Sequence, residues 1–260
     1  MSFTLTVDDY LKLESSQTWL IELLIPIGGK LLLYGDPKIG KSFAAIQLAV
    51  ALAGHNTTWL GFSVLTAGPV LYLQLDTPRS LWQARLRSLR HHGLPLDHIH
   101  IADRETFGTW PFNILSPDHA TILRRAVDAV KPTAVIVDVL KETNHVKENV
   151  SDEMQQVMAE LTRATQPAAL VLLHHAKKPM AETAPDILAD IRGASYLAGS
   201  VDTIMRLTEK GVYYVGRAVE GGVVYTERQS NGLIAEAQPT VALPDSTLVW
   251  DEPTQQWLKP

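Results

Sequence analysis

The octapeptide GDPKIGKS at residues 35–42 constrains this chain more than any other feature of its sequence. It matches G-x-x-x-x-G-K-[ST], a pattern that binds phosphate groups when it connects a strand to a helix. Residues 30–34, KLLLY, predict a buried strand before it, and residues 42–53, SFAAIQLAVALA, predict a helix after it. This setting favours a phosphate-binding loop over a glycine turn that includes a lysine by chance.

Each residue type in this loop has a chemical reason to be there. Gly35 and Gly40 permit backbone angles that a Cβ would hinder, so that successive N–H groups can face an anion. The positive end of the following helix points to the same place. Lys41 can reach the terminal phosphate oxygens of a nucleotide, and the Ser42 hydroxyl can ligate Mg²⁺. The predicted nucleotide-binding residues are Gly35, Asp36, Pro37, Lys38, Ile39, Gly40, Lys41, Ser42 and Phe43.

Apolar runs and helical patterns alternate along most of the chain. Further buried strands are predicted at 69–75, 98–102, 133–138 and 169–175, and helices at 79–92, 118–130 and 151–165. This alternation is typical of βαβ units, in which helices cover a parallel sheet. From about residue 200, the runs VDTIMRL, VYYVGRA and GVVYTER predict antiparallel strands. The expected fold class is α/β: a mostly parallel central sheet flanked by helices, with antiparallel strands added at one edge.

Polar side chains at the ends of three predicted strands are candidates for catalysis. Asp138 ends the run AVIVD and is expected to polarise Mg²⁺-bound water, as a Walker-B carboxylate does. Asp76 is the candidate general base, although it could instead only cap the helix that starts near Pro78. His174 or His175 could contact the γ-phosphate at the end of a third strand, and a purely structural role for this pair stays open.

Charge and composition narrow the function classes. The net charge of −5 argues against a simple DNA-binding module, but not against a ring that concentrates lysines on its inner surface. The chain has no cysteine, which excludes disulfides and thiolate metal sites. Its first residues are acidic where a signal peptide is basic, and no apolar run is long enough to span a membrane. We expect a soluble, cytoplasmic protein.

A set of sequence blocks carries a family resemblance. In chain order they are WLIELLIPIGGKLLLYGDPKIGKS, GPVLYLQLDTP, AVIVD, VLLHHAKK and RGASYLAGSVDTIMRL. Together they resemble RecA-like hexameric ATPases, most closely plasmid RepA-type replication helicases and related AAA-type P-loop ATPases. The resemblance implies a RecA-like core, ATP bound at subunit interfaces, and a homo-oligomeric, hexameric ring that can move on single-stranded DNA. We divide the chain into an N-terminal extension, a RecA-like ATPase domain and a C-terminal appendage, at residues 1–16, 17–227 and 228–260.

The resemblance also implies roles for individual residues. The catalytic base of the plasmid helicase is a glutamate, where this chain has Asp76, one methylene shorter. The arginine finger, which a neighbouring subunit supplies, is expected at Arg217, with Arg206 as the second candidate. In the plasmid helicase the finger lies in the stretch after the RGAS block. Counting along this chain from Arg192, the first residue of that block, reaches Asp202, which cannot serve as a finger. The predicted catalytic residues are Lys41, Asp76, Asp138, His175 and Arg217.

In such a ring, two loops would line the central channel: residues 139–149, and residues 176–191, which we expect to be mobile. Several copies of their lysines would make the channel locally positive despite the acidic total. These lysines are Lys141, Lys147, Lys177 and Lys178. Ordinary solvated loops remain an equal alternative, since neither loop has an aromatic residue on which a base could stack.

The sequence therefore predicts an oligomeric ATPase that acts on DNA, such as a replication helicase of a plasmid, phage or mobile element. The alternative is a regulatory or loader ATPase that uses nucleotide as a slow switch and does not unwind DNA. A small-molecule kinase is a weaker interpretation, because no arginine-rich lid is evident in the sequence.

Replacing Lys177 and Lys178 together by alanine is expected to weaken binding of single-stranded DNA, because the change removes two cations from a channel loop. ATP binding is expected to be unchanged, since neither lysine belongs to the phosphate loop. Titration of a fluorescent oligonucleotide at fixed salt measures the first property, and calorimetry measures the second. Equal DNA affinity in variant and parent would remove this loop from the DNA-binding hypothesis.

Overall fold

The computed structural model describes residues 4–13, 18–108, 111–146, 151–176 and 195–237, together with two short strands further on. The strands are β1 (Trp19–Ile21), β2 (Ile25–Pro26), β3 (Lys30–Gly35), β4 (Thr58–Trp59), β5 (Phe62–Ser63), β6 (Val70–Gln74), β7 (Ile99–Asp103), β8 (Ala134–Asp138), β9 (Ala169–His175), β10 (Thr203–Leu207), β11 (Gly211–Gly216), β12 (Gly222–Arg228), β13 (Ile234–Glu236), β14 (Val249–Asp251) and β15 (Gln256–Leu258). The helices are α1 (Val7–Leu11), α2 (Lys41–Val50), α3 (Arg79–His91), α4 (Pro117–Val130), α5 (Ser151–Thr165) and α6 (Ser195–Ser200). Among the helices within these ranges, none has the length and apolarity that crossing a membrane requires.

A nine-stranded sheet in the order β13-β12-β11-β10-β3-β9-β8-β6-β7 forms the centre of the fold. The strands from β10 to β7 in this order run parallel, whereas β11, β12 and β13 continue the sheet by antiparallel pairing. The predicted α/β class is therefore confirmed. The run VDTIMRL contains β10, which pairs antiparallel with β11 as predicted but also pairs in parallel with β3, which was not predicted. The chain returns to the start of β3 before β10 begins, where the Asp202 N–H donates to the Lys30 carbonyl.

The inner parallel strands are buried on both faces because helices cover both faces of the sheet, whereas β7, the last strand in the order, is partly exposed. In β6, Val70 and Tyr72 face a core that includes α2 and α3. The alternating residues Leu71 and Leu73 face a second core, built with α4 and α5. Continuous apolar runs are expected for parallel strands with two covered faces, and this explains why the sequence shows no alternation there.

Several short elements are absent from the sequence prediction. β1 with β2, and β4 with β5, form two small antiparallel hairpins whose strands are too short for a periodic pattern. After α2 the chain continues in helical turns through Ala51–His55, and Gly54, with φ of 92°, ends them. β13 lies beyond residue 227 but belongs to the central sheet. The domain boundaries themselves stay a prediction.

The carboxyl ends of the parallel strands lie together, and the candidate site is at these strand ends. The register pairs Gly35 of β3 with His175 of β9. It also pairs Gln74 of β6 with both Asp103 and Asp138, on the two neighbouring strands. In open α/β sheets, ligands bind outside the carboxyl ends of the strands. Here the phosphate loop and the predicted acids lie at these ends.

An ion pair at the carboxyl end of β7 connects this strand to α3. The Arg79 guanidinium donates from two nitrogens to the Asp103 carboxylate. These hydrogen bonds lower the pKa of Asp103 from 3.8 to about 2. A depressed folded-state pKa contributes stability that is present above the unfolded-state pKa and is lost as pH falls through the folded-state pKa.

Replacing Asp103 by asparagine is therefore expected to destabilise the protein most above pH 4, with the difference from the parent shrinking as pH falls to about 2. Urea unfolding across this pH range measures the difference. Glu220→Gln, which removes an exposed carboxylate outside this ion pair, is the control. A constant difference between Asp103→Asn and the parent would contradict the assignment.

Candidate nucleotide-binding site

The phosphate loop connects β3 to α2, as the motif predicts. Gly35 ends β3, and a Cβ there would lie 2.5 Å from the Leu207 carbonyl oxygen, so only glycine fits without a shift of the backbone. Gly40 has φ of 111° and directly precedes Lys41, the first residue of α2. A glycine-containing loop beside a helix amino terminus is the type of site that binds phosphate.

Lys41 is buried beneath the loop and directs its ammonium group at loop carbonyls. Its Nζ donates to the carbonyl oxygens of Gly35 at 2.9 Å and Asp36 at 2.8 Å. Burial lowers the pKa of Lys41 to about 8, and the charges of Asp138, Asp36 and Asp76 oppose this shift. The lysine is thus a desolvated cation, which gains stabilisation when further negative charge binds beside it.

Asp138 lies buried at the end of β8, beside the phosphate loop. Its Oδ2 accepts a hydrogen bond from the Tyr72 hydroxyl at 2.8 Å. Burial raises the pKa of Asp138, and hydrogen bonds from Tyr72 and from the Ser42 hydroxyl oppose the increase. The structure therefore brings together the hydroxyl and the carboxylate that the sequence predicts as Mg²⁺ ligands.

Ser42 and Asp138 suit Mg²⁺ by their chemistry. Both offer oxygen, and Mg²⁺ is commonly held by one or two protein oxygens together with phosphate oxygens and water. In the described part of the chain, no group of three or more His, Cys, Asp or Glu side chains could hold a metal on its own. A cation held by Ser42 and Asp138 would need further oxygen ligands, such as phosphate oxygens and water.

Asp76 follows β6 and lines the same crevice as the phosphate loop. Arg104 anchors its backbone: Nε donates to the Leu75 carbonyl at 2.5 Å and Nη2 donates to the Asp76 carbonyl at 3.0 Å. The alternative that Asp76 only caps the next helix is wrong, because the N-cap of α3 is Pro78 and no side chain caps that helix. Asp76 therefore stays the candidate base.

The two histidines at the end of β9 differ in position. His174 is fully buried within the sheet and pairs in register with Tyr34. His175 is the last residue of the strand and lines the crevice. Of these two histidines, His175 is the one placed to contact a bound phosphate.

Two arginines that the sequence prediction missed also line the crevice, which has a volume of about 270 Å³. Arg85 of α3 places its Cζ 5.1 Å from the ring centroid of Phe43 and 5.1 Å from that of Trp82. Arg228, at the end of β12, lies 5.5 Å from the Phe43 centroid and donates from Nη1 to the Lys38 carbonyl at 3.2 Å. Both guanidinium groups therefore add positive charge to the crevice.

A helical wheel could have revealed Arg85. It follows the buried Trp82 by three positions and so lies near the inward face of α3, where arginine is uncommon. Arg228 carries no comparable signal in the sequence. Its position depends on the antiparallel strands, which bring the end of β12 back to the phosphate loop.

The two candidate arginine fingers, Arg206 and Arg217, do not line the crevice. Arg206 is buried on β10, with its Cζ 6.0 Å from the Tyr34 ring centroid. Arg217 forms an ion pair of 3.3 Å with Asp202, which also accepts the backbone N–H of Lys30 at the start of β3. Arg217 therefore lies near the amino end of β3, whereas the phosphate loop follows its carboxyl end. Because a finger acts on a neighbouring subunit, these positions leave the choice between the two arginines a prediction.

Of the predicted DNA-binding lysines, Lys141 is exposed on the turn Leu140–Thr143, directly after β8. Lys147, Lys177 and Lys178 lie outside the described residues, as does nearly all of the predicted loop 176–191. The DNA-binding assignment therefore stays a prediction.

Comparison with solved structures confirms the fold. The ATPase domain of G40P shares 14% identity, over 81% of this chain and 85% of that chain, with a TM-score of 0.59. The KaiC-like protein PH0186 from Pyrococcus horikoshii OT3 shares 14% identity, over 84% and 94%, with a TM-score of 0.52. A DnaB-like replicative helicase shares 13% identity, over 82% of this chain but only 58% of that chain, with a TM-score of 0.58.

The family is established by a different comparison. No curated protein matches this chain. The sequence profile of the AAA domain family, however, matches residues 1–181, a span that includes the phosphate loop, Asp76, Asp138 and His175. A particular closeness to RepA-type helicases stays a prediction. The chain is thus a member of the AAA domain family, built on the RecA-like α/β fold.

Proposed function

We propose that this protein is an ATPase that uses ATP and Mg²⁺, assembles into a ring and acts on DNA. The observation that carries the proposal is the convergence of complementary groups in one crevice. The Lys41 ammonium and the Ser42 hydroxyl at the start of α2, the Asp138 carboxylate at the end of β8 and the Asp76 carboxylate after β6 line the same crevice.

The roles follow from these positions. Mg²⁺ bound with ATP would neutralise charge on the terminal phosphates. The Ser42 hydroxyl and the Asp138 carboxylate would hold the cation, and the Lys41 ammonium, which now donates to loop carbonyls, would contact the phosphate oxygens. Asp76 orients the attacking water, and His175 contacts the terminal phosphate. The arginine finger, Arg217 or Arg206, reaches the crevice of a neighbouring subunit.

The role in replication is supported by the similarity to the fold of a DnaB-like replicative helicase. We propose a cytoplasmic, RepA-like helicase or DNA-dependent ATPase of a plasmid, phage or mobile element, assembled as a hexamer. Its ATPase domain spans residues 17–227, between an extension at 1–16 and an appendage at 228–260. Single-stranded DNA contacts the channel lysines Lys141, Lys147, Lys177 and Lys178.

A regulatory or loader ATPase is the second candidate. Asp76 favours it, because the side chain is one methylene shorter than glutamate and a base displaced from its productive position turns over slowly. An ATPase assay beside a strand-displacement assay separates the two candidates. Slow turnover without unwinding selects the switch, and DNA-stimulated turnover with unwinding selects the helicase.

Replacing Lys41 by alanine is expected to abolish ATP hydrolysis, because the substitution removes the cation that compensates the terminal phosphates. Turnover is measured as phosphate release, and nucleotide binding as the rise in melting temperature on adding ATP and Mg²⁺. Lys131→Ala, at the exposed lysine that follows the last residue of α4, is the control and should behave as the parent. Retained turnover in Lys41→Ala would disprove the assignment of the loop.

Replacing Arg85 by glutamine is expected to lower turnover about 10²-fold, the usual loss when one donor to developing charge is removed. The two aromatic rings beside Arg85 hold its guanidinium in the crevice. Arg125→Gln, on the surface of α4, is the matched control. Equal rates for Arg85→Gln and Arg125→Gln would show that Arg85 does not contact the reacting phosphate.

A further inference from the structure

Arg104 lies between the candidate base and the turn that carries Lys141. It directly follows Asp103, the last residue of β7, and β7 is the neighbour of β6 in the sheet. The loop after β7 is closed on itself, since the Thr106 N–H donates to the Asp103 carboxylate at 3.0 Å and the Asp103 N–H donates to the Thr106 hydroxyl at 3.2 Å. Arg104 therefore extends from a fixed strand end towards the residues that follow β6.

The Arg104 guanidinium holds the backbone on both sides of the Asp76 α-carbon. Its Nε donates to the Leu75 carbonyl at 2.5 Å, and its Nη2 donates to the Asp76 carbonyl at 3.0 Å. The Leu75 N–H in turn donates to the Asp138 carbonyl at 2.8 Å. An aspartate side chain has one rotatable bond fewer than glutamate, so the backbone largely determines where its carboxylate lies. Arg104 thus controls the position of the candidate base.

A second charge, the Glu142 carboxylate, lies beside the same guanidinium. Its Oε2 is 3.8 Å from Nη2 of Arg104, the nitrogen that bonds to the Asp76 carbonyl. This distance is too long for a hydrogen bond, so the contact is a charge attraction. The Arg104 and Glu142 side chains are 34% and 29% exposed, and their partial burial shields the attraction from solvent. Glu142 therefore restrains the guanidinium that holds Asp76.

The turn that carries Glu142 is itself held in place. Leu140 and Thr143, its first and last residues, are fully buried. The Thr143 hydroxyl donates to the Leu140 carbonyl at 2.7 Å, and the Thr143 carbonyl accepts the Ile114 N–H at 2.8 Å. Between them, Lys141 is exposed and Glu142 is half-buried. Because the turn is internally bonded, a force applied at Lys141 also displaces Glu142.

We propose that Arg104 is a positioning residue for Asp76, and that Glu142 acts on Asp76 through Arg104. The proposal rests on the proposed ATPase activity, in which Asp76 orients the attacking water. It adds a connection between this base and the turn Leu140–Thr143, which carries one of the predicted DNA-binding lysines. A polyanion bound at Lys141 would pull on the turn, and its effect would reach Asp76 through two contacts, both made by Arg104.

Replacing Arg104 by glutamine is expected to lower kcat for ATP about 10²-fold, the loss that a misplacement of about 1 Å can cause. KM for ATP and the rise in melting temperature on adding ATP and Mg²⁺ are expected to stay as in the parent, because Arg104 does not line the phosphate-loop crevice. Arg125→Gln, at an exposed arginine of α4, is the control. A raised KM, a lost nucleotide-induced rise, or a kcat equal to that of the control would overturn the proposal.

A double-mutant cycle separates positioning of Asp76 from general damage to the fold. Asp76→Asn and the variant that combines it with Arg104→Gln are compared in single-turnover measurements with radiolabelled ATP. If Arg104 acts through the Asp76 carboxylate, Arg104→Gln costs little once that carboxylate is gone. An equal loss from Arg104→Gln in both backgrounds would show a structural role and would also overturn the proposal.

Glu142→Gln tests the connection to the turn. An ion pair this exposed is worth at most about 1 kcal/mol, which is about fivefold in rate. Turnover is therefore expected to fall about twofold to fivefold in the parent, and not to fall further in Arg104→Gln. Glu220→Gln, outside the ion pair, is the control. Equal losses from Glu142→Gln in the two backgrounds, or no loss in the parent, would disprove the role of Glu142.

All of these measurements use ATP and Mg²⁺ without DNA, which separates the inference from the proposed function. A parent that does not hydrolyse ATP would refute the proposed function, and the inference with it. A parent that hydrolyses ATP but does not bind DNA would refute only the action on DNA, and the two cycles would still decide the roles of Arg104 and Glu142.

Discussion

The carboxylate of Asp138 is the constraint on which the candidate site depends. A buried carboxylate is costly unless hydrogen bonds compensate the lost hydration. Here the Tyr72 hydroxyl donates from the neighbouring strand, and Ser42 lies beside the carboxylate in the same crevice. The Tyr72 hydrogen bond therefore compensates this acid and connects β6 to the end of β8.

Helix α3 lines both the nucleotide crevice and a separate apolar cavity. Tyr72 and Trp82 line the apolar cavity, while Tyr72 also bonds to Asp138. Arg85, one turn along from Trp82, lies against both Trp82 and Phe43 at the phosphate loop.

The sequence predicted most of the parallel sheet and the phosphate loop, because both leave local patterns. Buried strands such as β8 and β9 are continuous apolar runs, and the loop needs Gly35 and Gly40 at defined positions. The parallel pairing of β10 was missed, because direction depends on where the chain returns and not on its own residues. Arg228 was missed for a similar reason, since three antiparallel pairings place it.

What the sequence alone determined is the local chemistry: a glycine-rich loop between strand and helix, acids after apolar strands, and hence a nucleotide-binding protein of α/β class. These follow from backbone sterics and hydrophobic periodicity, which act over a few residues. The tertiary structure alone decided which groups meet. It placed His175, and not His174, in the crevice, and it brought Arg85 and Arg228 to the phosphate loop. It also left the apolar cavity along α3 open. These outcomes depend on packing and strand order, which are set by contacts between residues far apart in the chain.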